Sequence, residues 1–194
     1  MTLRVPQKML EPEVLEEIST LVRSGFYNKE RLVTVFCEEM YAPGQLNPNE
    51  VSTQIDVAFE KWKSEKQTWP AVTDCDRLDS AFTAMNNRGI IALQNAGYTQ
   101  SDGYSDFREA LENHPNKSSV VGYCFYHAQD VERAVRGGGL YLAFGPVDPK
   151  DEETKGLEIG NIVRNELERT GLQVDWDGKW DKRLSIPKLV WQRR

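Results

Sequence analysis

Two nearly continuous apolar runs constrain the fold of this chain more than any other feature of its sequence. They are VVGYCFYH at residues 120–127 and LYLAFG at residues 140–145. A strand with one face in water alternates apolar and polar residues, whereas a strand covered on both faces reads as an unbroken apolar run. The two runs therefore predict buried strands in a sheet that carries helices on both sides.

Helical patterns alternate with strands from about residue 70 onwards. A helix ending near Gly89 precedes the short strand IIAL, and further helices separate this strand from the two buried runs. Short helix–strand units with right-handed crossovers predict that the first three strands run largely parallel. The segments LQVDW and RLSIPKLVW predict a C-terminal antiparallel β-hairpin. Residues 70–194 are therefore predicted to form an α/β (α+β) domain with a mixed, partly parallel sheet.

The first 69 residues predict a three-helix segment that precedes this domain. Apolar residues recur at helical spacing from Pro12 to Ser24, and Asn28 can cap a second helix. Asn47 followed by Pro48 is a clear start for a third helix. The stretch KQTWPAV breaks the pattern and places a boundary near Trp69 and Pro70.

The distribution of charge argues against a nucleic-acid-binding protein. The net charge is −6, and residues 70–177 carry 10 basic and 18 acidic side chains. Contacts to phosphates need clustered Lys and Arg, which are found only in the tail at residues 178–194, with 6 basic side chains against 1 acidic. An edge strand whose charges oppose aggregation accounts for that tail better than a nucleic-acid patch does. An acidic domain of this size suits docking on a basic protein partner.

Nothing in the sequence indicates a membrane protein or a secreted one. No segment approaches the roughly 18 consecutive apolar residues that span a bilayer. The N-terminal residues lack a basic segment followed by an apolar stretch, so we expect no secretory signal. Cys37, Cys75 and Cys124 are widely spaced without a CxxC pair, and we expect reduced thiols in a cytoplasmic protein.

The loops that follow the predicted strands are the expected position of a site. Ligands bind beyond the carboxyl ends of the strands in α/β sheets. The segments QNAGYTQSD, YHAQD and GPVDPKDEE follow the first three strands and would share one edge if these strands were parallel. The candidate binding residues at this edge are Asn95, Tyr98, Gln100, Ser101, Asp102, Tyr126, His127, Gln129 and Asp130.

Helix capping explains several of these residues without any ligand. Ser101, Asp102, Gln129 and Asp130 lie where caps and first-turn carboxylates stabilise helices, so a purely structural role remains open. If the protein is an enzyme, His127 paired with Asp102 or Asp130 is the candidate acid–base group. No nucleophile motif accompanies the pair, and no metal site or cofactor is predicted.

Two further features have structural interpretations. The glycines of RGGGLYLAFG follow a helix and precede a strand, the reverse of a phosphate-binding loop, so we interpret them as a helix end and a strand entry. Trp176, Trp180 and Trp191 lie in the C-terminal segment, either as core residues, which we favour, or as an exposed anchor for a partner.

Several motifs together resemble a known family. LQNAGYTQSDG, GYCFYHAQD, GGGLYLAFG, VDWDG and the closing WQRR, in this order, resemble an uncharacterised bacterial family, a domain of unknown function. The resemblance covers roughly residues 70–194, and the helical segment resembles the companion of longer members. It implies a soluble bacterial protein and supplies no activity.

Two classes of function are open at this point. The first is a non-catalytic protein-binding role, for example an immunity-type inhibitor of a bacterial toxin. It requires exposed acidic side chains at residues 148–153 that are not folded against Arg133, Arg136 or the basic tail. The second is a small enzyme or a ligand sensor at the edge formed by residues 95–102 and 126–130. An enzyme there requires His127 to line an open cleft within hydrogen-bond reach of Asp102 or Asp130.

Overall fold

The computed structural model describes residues 10–194. The chain divides into two compact units, one up to Trp69 and one from Pro70 to Arg193. The first nine residues, which bear on the expectation of a secretory signal, lie outside the described residues. Within residues 10–194, no helix is both long and apolar enough to cross a membrane.

The first unit is helical. Its elements are α1 (Pro12–Ser24), α2 (Lys29–Thr34), a π-helical segment (Val35–Met40) and α3 (Pro48–Lys66). Gly25 ends α1 in the left-handed conformation, and the Asn28 side chain caps α2 by accepting a hydrogen bond from the Arg31 backbone N–H. The buried core of this unit consists of Val14, Ile18, Leu21, Val22, Leu32, Val35, Phe36, Cys37, Val51 and Ile55.

The second unit is the mixed α/β domain that the sequence predicts. Its elements are α4 (Asp74–Asn87), β1 (Ile90–Leu93), α5 (Gln100–Glu112), β2 (Gly122–Phe125), α6 (Ala128–Val135), β3 (Leu140–Pro146), α7 (Glu152–Arg169) and β4 (Leu184–Ile186). The strand order in the sheet is β1-β2-β3-β4. Strands β1 and β2 are parallel, with Ile90 opposite Gly122.

The expectation that the first three strands are largely parallel is wrong for β3. Strand β3 pairs antiparallel with both β2 and β4. Helix α6 has only eight residues, and the chain turns at Gly137 and Gly139, both with positive φ, so that it enters β3 at the end of the sheet where β2 finished. The acidic segment that follows β3 therefore lies at the opposite end of the sheet from the loops after β1 and β2.

The predicted C-terminal hairpin forms only in part. Its first limb contributes one antiparallel bridge, in which Asp175 and Ser185 exchange backbone hydrogen bonds of 2.8 and 2.9 Å. The second limb supplies β4, which pairs with β3. In the resulting order β4 is an edge strand of the sheet. The sequence predicted an edge strand in this basic tail.

Helices cover both faces of β2, as its unbroken apolar sequence requires. A side chain at Gly122 would meet Ile159 of α7, whereas the Phe125 ring lies against Gly103 of α5. Helix α4 packs on β1 and α7, and α7 packs on β3. All four residues of β2 are buried, so the double coverage explains the absence of alternation in this strand.

Candidate functional site

The loops after β1 and β2 lie side by side at one edge of the sheet. The backbone N–H of Ala96 donates to the Tyr126 carbonyl at 2.9 Å, and Ala128 donates to the Gly97 carbonyl at 3.0 Å. Gln129 donates to the Tyr98 carbonyl at 3.3 Å. The parallel pairing of the two strands thus brings together the backbone of the two segments in which the candidate residues were predicted.

Asp102 acts at this edge as a helix-capping residue. Its Oδ2 atom accepts hydrogen bonds from the backbone N–H of Thr99 at 2.8 Å and from the Thr99 hydroxyl at 2.9 Å. These bonds lower the pKa of Asp102, so the carboxylate stays ionised. Gly97 allows this close approach, because a side chain there would lie 2.2 Å from the Asp102 Cβ atom. Ser101 is exposed in the first turn of the same helix.

His127 and Asp130 are enclosed and held together. The side chains are 6% exposed in each case, and His127 Nε2 lies 3.0 Å from Asp130 Oδ2. The same carboxylate accepts a hydrogen bond from the His127 backbone N–H at 3.3 Å and forms an ion pair with Arg183. Arg183 also donates to the Tyr141 carbonyl at 3.0 Å. The cluster joins the start of α6 to the segment that leads into β4.

Burial sets the charge state of His127. Desolvation lowers its pKa below the ordinary value, the Asp130 carboxylate opposes this shift, and the Arg183 guanidinium adds to it. The Nδ1 atom of the ring is buried, and a contact with the Tyr98 backbone also opposes the lowering of the pKa. A neutral imidazole enclosed between a carboxylate and backbone is therefore a structural group, and it does not meet the requirement of lining an open cleft.

Tyr126 is fully buried and anchors a second polar network. Its hydroxyl donates to Gln94 Oε1 at 2.6 Å, and Gln94 donates in turn to Asp79 at 2.8 Å. Arg193 of the closing WQRR bonds to Gln94 and Asp79 at 3.0 and 3.1 Å. Trp191 packs edge-on against the Tyr126 ring. The network fastens the C-terminal residues to α4 and to the end of β1, which gives the WQRR motif a structural role.

The remaining candidate residues do not converge on one pocket. The Tyr98 side chain is 54% exposed, and Gln129 is exposed on α6. Asn95, with a positive φ, lines a shallow depression between the end of β1 and α5. Gln100 lines a different cleft. The edge is thus a place where backbone segments meet, whereas its side chains point to different surroundings.

The cleft beside Gln100 lies on the α5 side of the sheet and has a volume of about 240 Å³. Its floor is formed by β2 and β3, where Gly145 leaves room for the Tyr123 hydroxyl; a side chain at Gly145 would lie 2.6 Å from this oxygen. Ala143, Phe144 and Pro146 of β3 complete the floor. The remaining lining comes from α5, the start of α7 and the segment before β4: Gln100, Tyr104, Glu152, Gly156, Trp180, Asp181, Lys182 and Arg183.

Two tyrosines give the cleft its polar interior. The Tyr104 and Tyr123 hydroxyls lie 3.4 Å apart, and Gln100 Nε2 lies 3.4 Å from the Tyr104 hydroxyl. Burial raises the pKa of Tyr123, so its hydroxyl stays protonated. Apart from Gln100, the residues of this cleft were not predicted as site residues, because they come from five separate elements and form no local motif.

Residues 10–194 contain neither a cluster of potential metal ligands nor an exposed thiol. Within residues 10–194, no group of three or more His, Cys, Asp or Glu side chains is arranged to hold a metal ion. The three cysteines are free and buried, and burial raises the pKa of Cys75 to about 12. Such thiols are inert at neutral pH.

The three tryptophans of the C-terminal segment have different surroundings. Trp176 packs edge-on against Phe144, and Trp191 is 9% exposed. Trp180 is 38% exposed at the rim of the cleft. Two of the three therefore belong to the packed body of the domain, and one is available at the surface.

Fold and site together define a mixed α/β domain with a helical N-terminal unit, a fastened C-terminus and a small polar cleft. The chain belongs to the family described as a domain of unknown function, DUF6891, whose model matches residues 7–194. The resemblance to a domain of unknown function is thereby confirmed, and the match extends beyond residues 70–194 over the helical unit. No curated protein and no solved structure matches the chain.

Proposed function

We propose that this protein is a non-catalytic binding protein that docks on a basic protein partner. The observation that carries the proposal is that acidic side chains after β3 are exposed and make only local contacts. Asp148, Glu153 and Glu158 are exposed, and Asp151 is half-buried. Asp148 caps the backbone N–H of Lys150, and Asp151 pairs with Lys155 at 2.6 Å. These contacts are local, and none of them involves Arg133, Arg136 or the basic tail.

An apolar side chain lies among these carboxylates. Leu157 on α7 is 46% exposed, and it follows Glu153 by one helical turn, so that both lie on the outer face of the helix. We call the surface formed by Asp148, Asp151, Glu153, Leu157 and Glu158 the acidic ridge. An apolar anchor beside several exposed carboxylates, with Lys155 paired to Asp151 among them, suits a protein interface in which charge steers the encounter.

The enclosure of His127 supports the absence of catalysis at the predicted edge. An acid–base group must come within hydrogen-bond reach of a substrate. His127 is 5% exposed and shares its carboxylate partner with Arg183, so a substrate would have to displace the segment before β4 to reach it. For these reasons the binding role is preferred to the enzyme role.

An immunity-type inhibitor of a bacterial toxin is the particular role that we propose for this binding protein. A toxin that acts on nucleic acid must present clustered Lys and Arg to phosphates, and an acidic surface can occupy such a cluster. The tail cations Arg183 and Arg193 are paired with Asp130 and Asp79. Their charges therefore do not weaken the attraction of the acidic ridge for a basic partner.

Affinity capture with matched variants tests the proposal. The full-length protein is used as bait in a lysate of the source cells beside Glu153→Lys/Glu158→Lys, and beside the control Glu109→Lys/Glu112→Lys on the exposed face of α5. We expect one partner in near-equal amount to be retained by the wild type and the control, and lost from the ridge variant. The partner should also dissociate as salt increases.

The isolated partner then tests the inhibitor role. Its activity on nucleic acid should fall as wild-type protein is added in equimolar amounts, and the ridge variant should not inhibit it. A partner that binds the ridge variant as well as the wild type would overturn the docking surface. A partner whose activity is unchanged by the protein would overturn the inhibitor role.

A further inference from the structure

The cleft beside Gln100 contains charged groups of both signs that the fold does not use. Glu152, Asp181 and Lys182 line it, and their side chains form no hydrogen bond or ion pair with any residue from 10 to 194. Arg183 spends its Nη2 atom on Asp130 and Tyr141, and its Nη1 atom has no hydrogen bond within the same residues. Two carboxylates, the Lys182 ammonium and the Nη1 atom of the Asp130-paired Arg183 guanidinium therefore border one concave surface.

The presence of both signs of charge selects the class of ligand. Two carboxylates face the cleft beside Lys182 and beside Arg183, which is paired with Asp130, so neither a simple anion nor a simple cation meets an opposite charge at every group. A molecule that carries both charges can instead meet each group with its opposite. Hydrogen bonds to charged groups are among the stronger polar interactions in proteins.

One carboxylate of the cleft lies on a different element from its cations. Glu152 begins α7, whereas Asp181, Lys182 and Arg183 lie together on the segment before β4. Between them, the Tyr104 and Tyr123 hydroxyls and the Gln100 amide offer hydrogen bonds that either charged end of a ligand can use. The rings of Tyr104 and Trp180 supply apolar contact for a short carbon skeleton.

The volume sets the size of the ligand. At about 240 Å³ the cleft is smaller than the roughly 300–1,000 Å³ of sites that hold drug-sized molecules. We propose that the cleft binds a small zwitterion, a molecule with one carboxylate and one protonated amine in the size range of a free amino acid. The carboxylate lies towards Lys182 and Arg183, and the amine lies towards Glu152. This site does not depend on the acidic ridge or on a protein partner.

The experiment uses the isotope-labelled full-length chain and free amino acids as probes. Each amino acid is titrated beside two of its own derivatives, the N-acetyl compound, which lacks the protonated amine, and the carboxamide, which lacks the carboxylate. Backbone amide shifts of Gly145 and Gly156 report occupancy, because both residues line the cleft. We expect saturable shifts for at least one amino acid, and a Kd about tenfold weaker for each of its derivatives.

Variants assign the two ends of the ligand. Glu152→Gln should weaken binding of the amino acid about tenfold and leave the affinity of the N-acetyl derivative unchanged, since that compound has no ammonium group. Lys182→Gln should weaken binding of the amino acid and leave the affinity for the carboxamide unchanged. The controls Glu112→Gln and Lys179→Gln remove the same charges at exposed residues outside the cleft lining and outside the acidic ridge, and they should leave the affinity for every amino acid unchanged.

Three outcomes would overturn the proposal. They are the absence of saturable shifts at the cleft with every amino acid in the millimolar range, equal binding of parent compounds and derivatives, and equal weakening by the control variants. Circular dichroism of each variant shows that it is folded. Because no protein partner enters this experiment, its failure is distinct from a failure of the proposed inhibitor function.

Discussion

Helices α5 and α6 begin with the same local device in contrasting surroundings. In each, a carboxylate three residues after the N-cap accepts a hydrogen bond from the N-cap backbone, Asp102 from Thr99 at 2.8 Å and Asp130 from His127 at 3.3 Å. Asp102 is exposed and its hydrogen bonds are local. Asp130 is 4% exposed and is shared with Arg183, which lies 53 residues further along the chain.

The position of each strand in the sheet explains the difference. Strand β1 is at the edge, so the loop that follows it has a free side, whereas β2 lies between β1 and β3. The segment that leads into β4 reaches back over the start of α6 and supplies Arg183. The same capping pattern is therefore a local stabiliser at the start of α5 and part of a long-range contact at the start of α6.

Among the substitutions that test this difference between α5 and α6, Asp130→Asn should lower the free energy of unfolding most. It leaves the Arg183 guanidinium, whose side chain is 28% exposed, without its counter-charge. Breaking a buried ion pair by removing one partner costs about 3 kcal/mol of unfolding free energy, and we expect a loss of this order in urea denaturation. Asp102→Asn is the matched control and should be much less destabilising. Equal losses in the two variants would show that Asp130 acts only as a cap.

Removing the N-cap hydroxyl should have an intermediate effect that depends on burial. Helix α4 starts with a third capping box, between Thr73 and Asp76, in which Thr73 is 1% exposed, whereas Thr99 of α5 is half-buried. Thr99→Ala should lower the unfolding free energy by about 1 kcal/mol. Thr73→Ala should lower it further, because it also buries unpaired backbone groups. Chemical denaturation of both variants measures the order, and the reverse order would contradict this account.

The smallest expected effect is a pH dependence that separates His127 from Asp102. The pKa of His127 is lowered on folding, so the unfolded chain binds more protons, and stability falls as the pH drops below about 6.5 towards the folded pKa. The pKa of Asp102 is also lowered, but its contribution is lost only below about 4.

His127→Gln provides the measurement for this prediction. Unfolding free energies of the wild type and the variant are compared between about pH 7 and about pH 5, a range that includes the ordinary pKa of histidine. The variant should have the flatter profile over this range and the same acid limb below it. Parallel profiles for the two proteins would mean that His127 titrates alike in the folded and unfolded chains.

Part of the candidate site could be predicted because it depends on neighbouring strands. The juxtaposition of residues 95–98 with residues 126–129 follows from one parallel strand pair, and alternating helices and strands indicate such pairs. The capping role of Asp102 could be predicted as well, since a cap involves residues only three apart.

The cleft could not be predicted in the same way. Tyr123, Glu152 and Arg183 meet there from β2, the start of α7 and the segment before β4. Each residue has an ordinary local explanation, as a core aromatic, a first-turn carboxylate or a tail cation. Their convergence depends on the antiparallel direction of β3, which reverses the end of the sheet at which α7 begins.

The sequence by itself indicated the capped helix starts and the buried strands of the α/β domain, because propensity, capping and apolar periodicity act over a few residues. The tertiary structure alone decided the direction of β3, the enclosure of His127 by Arg183 and the fastening of Arg193 to Asp79. These features join residues that are far apart in the chain. Their stability comes from burial and pairing that exist only once distant segments are in contact. A local sequence pattern does not indicate which distant residue a side chain will contact.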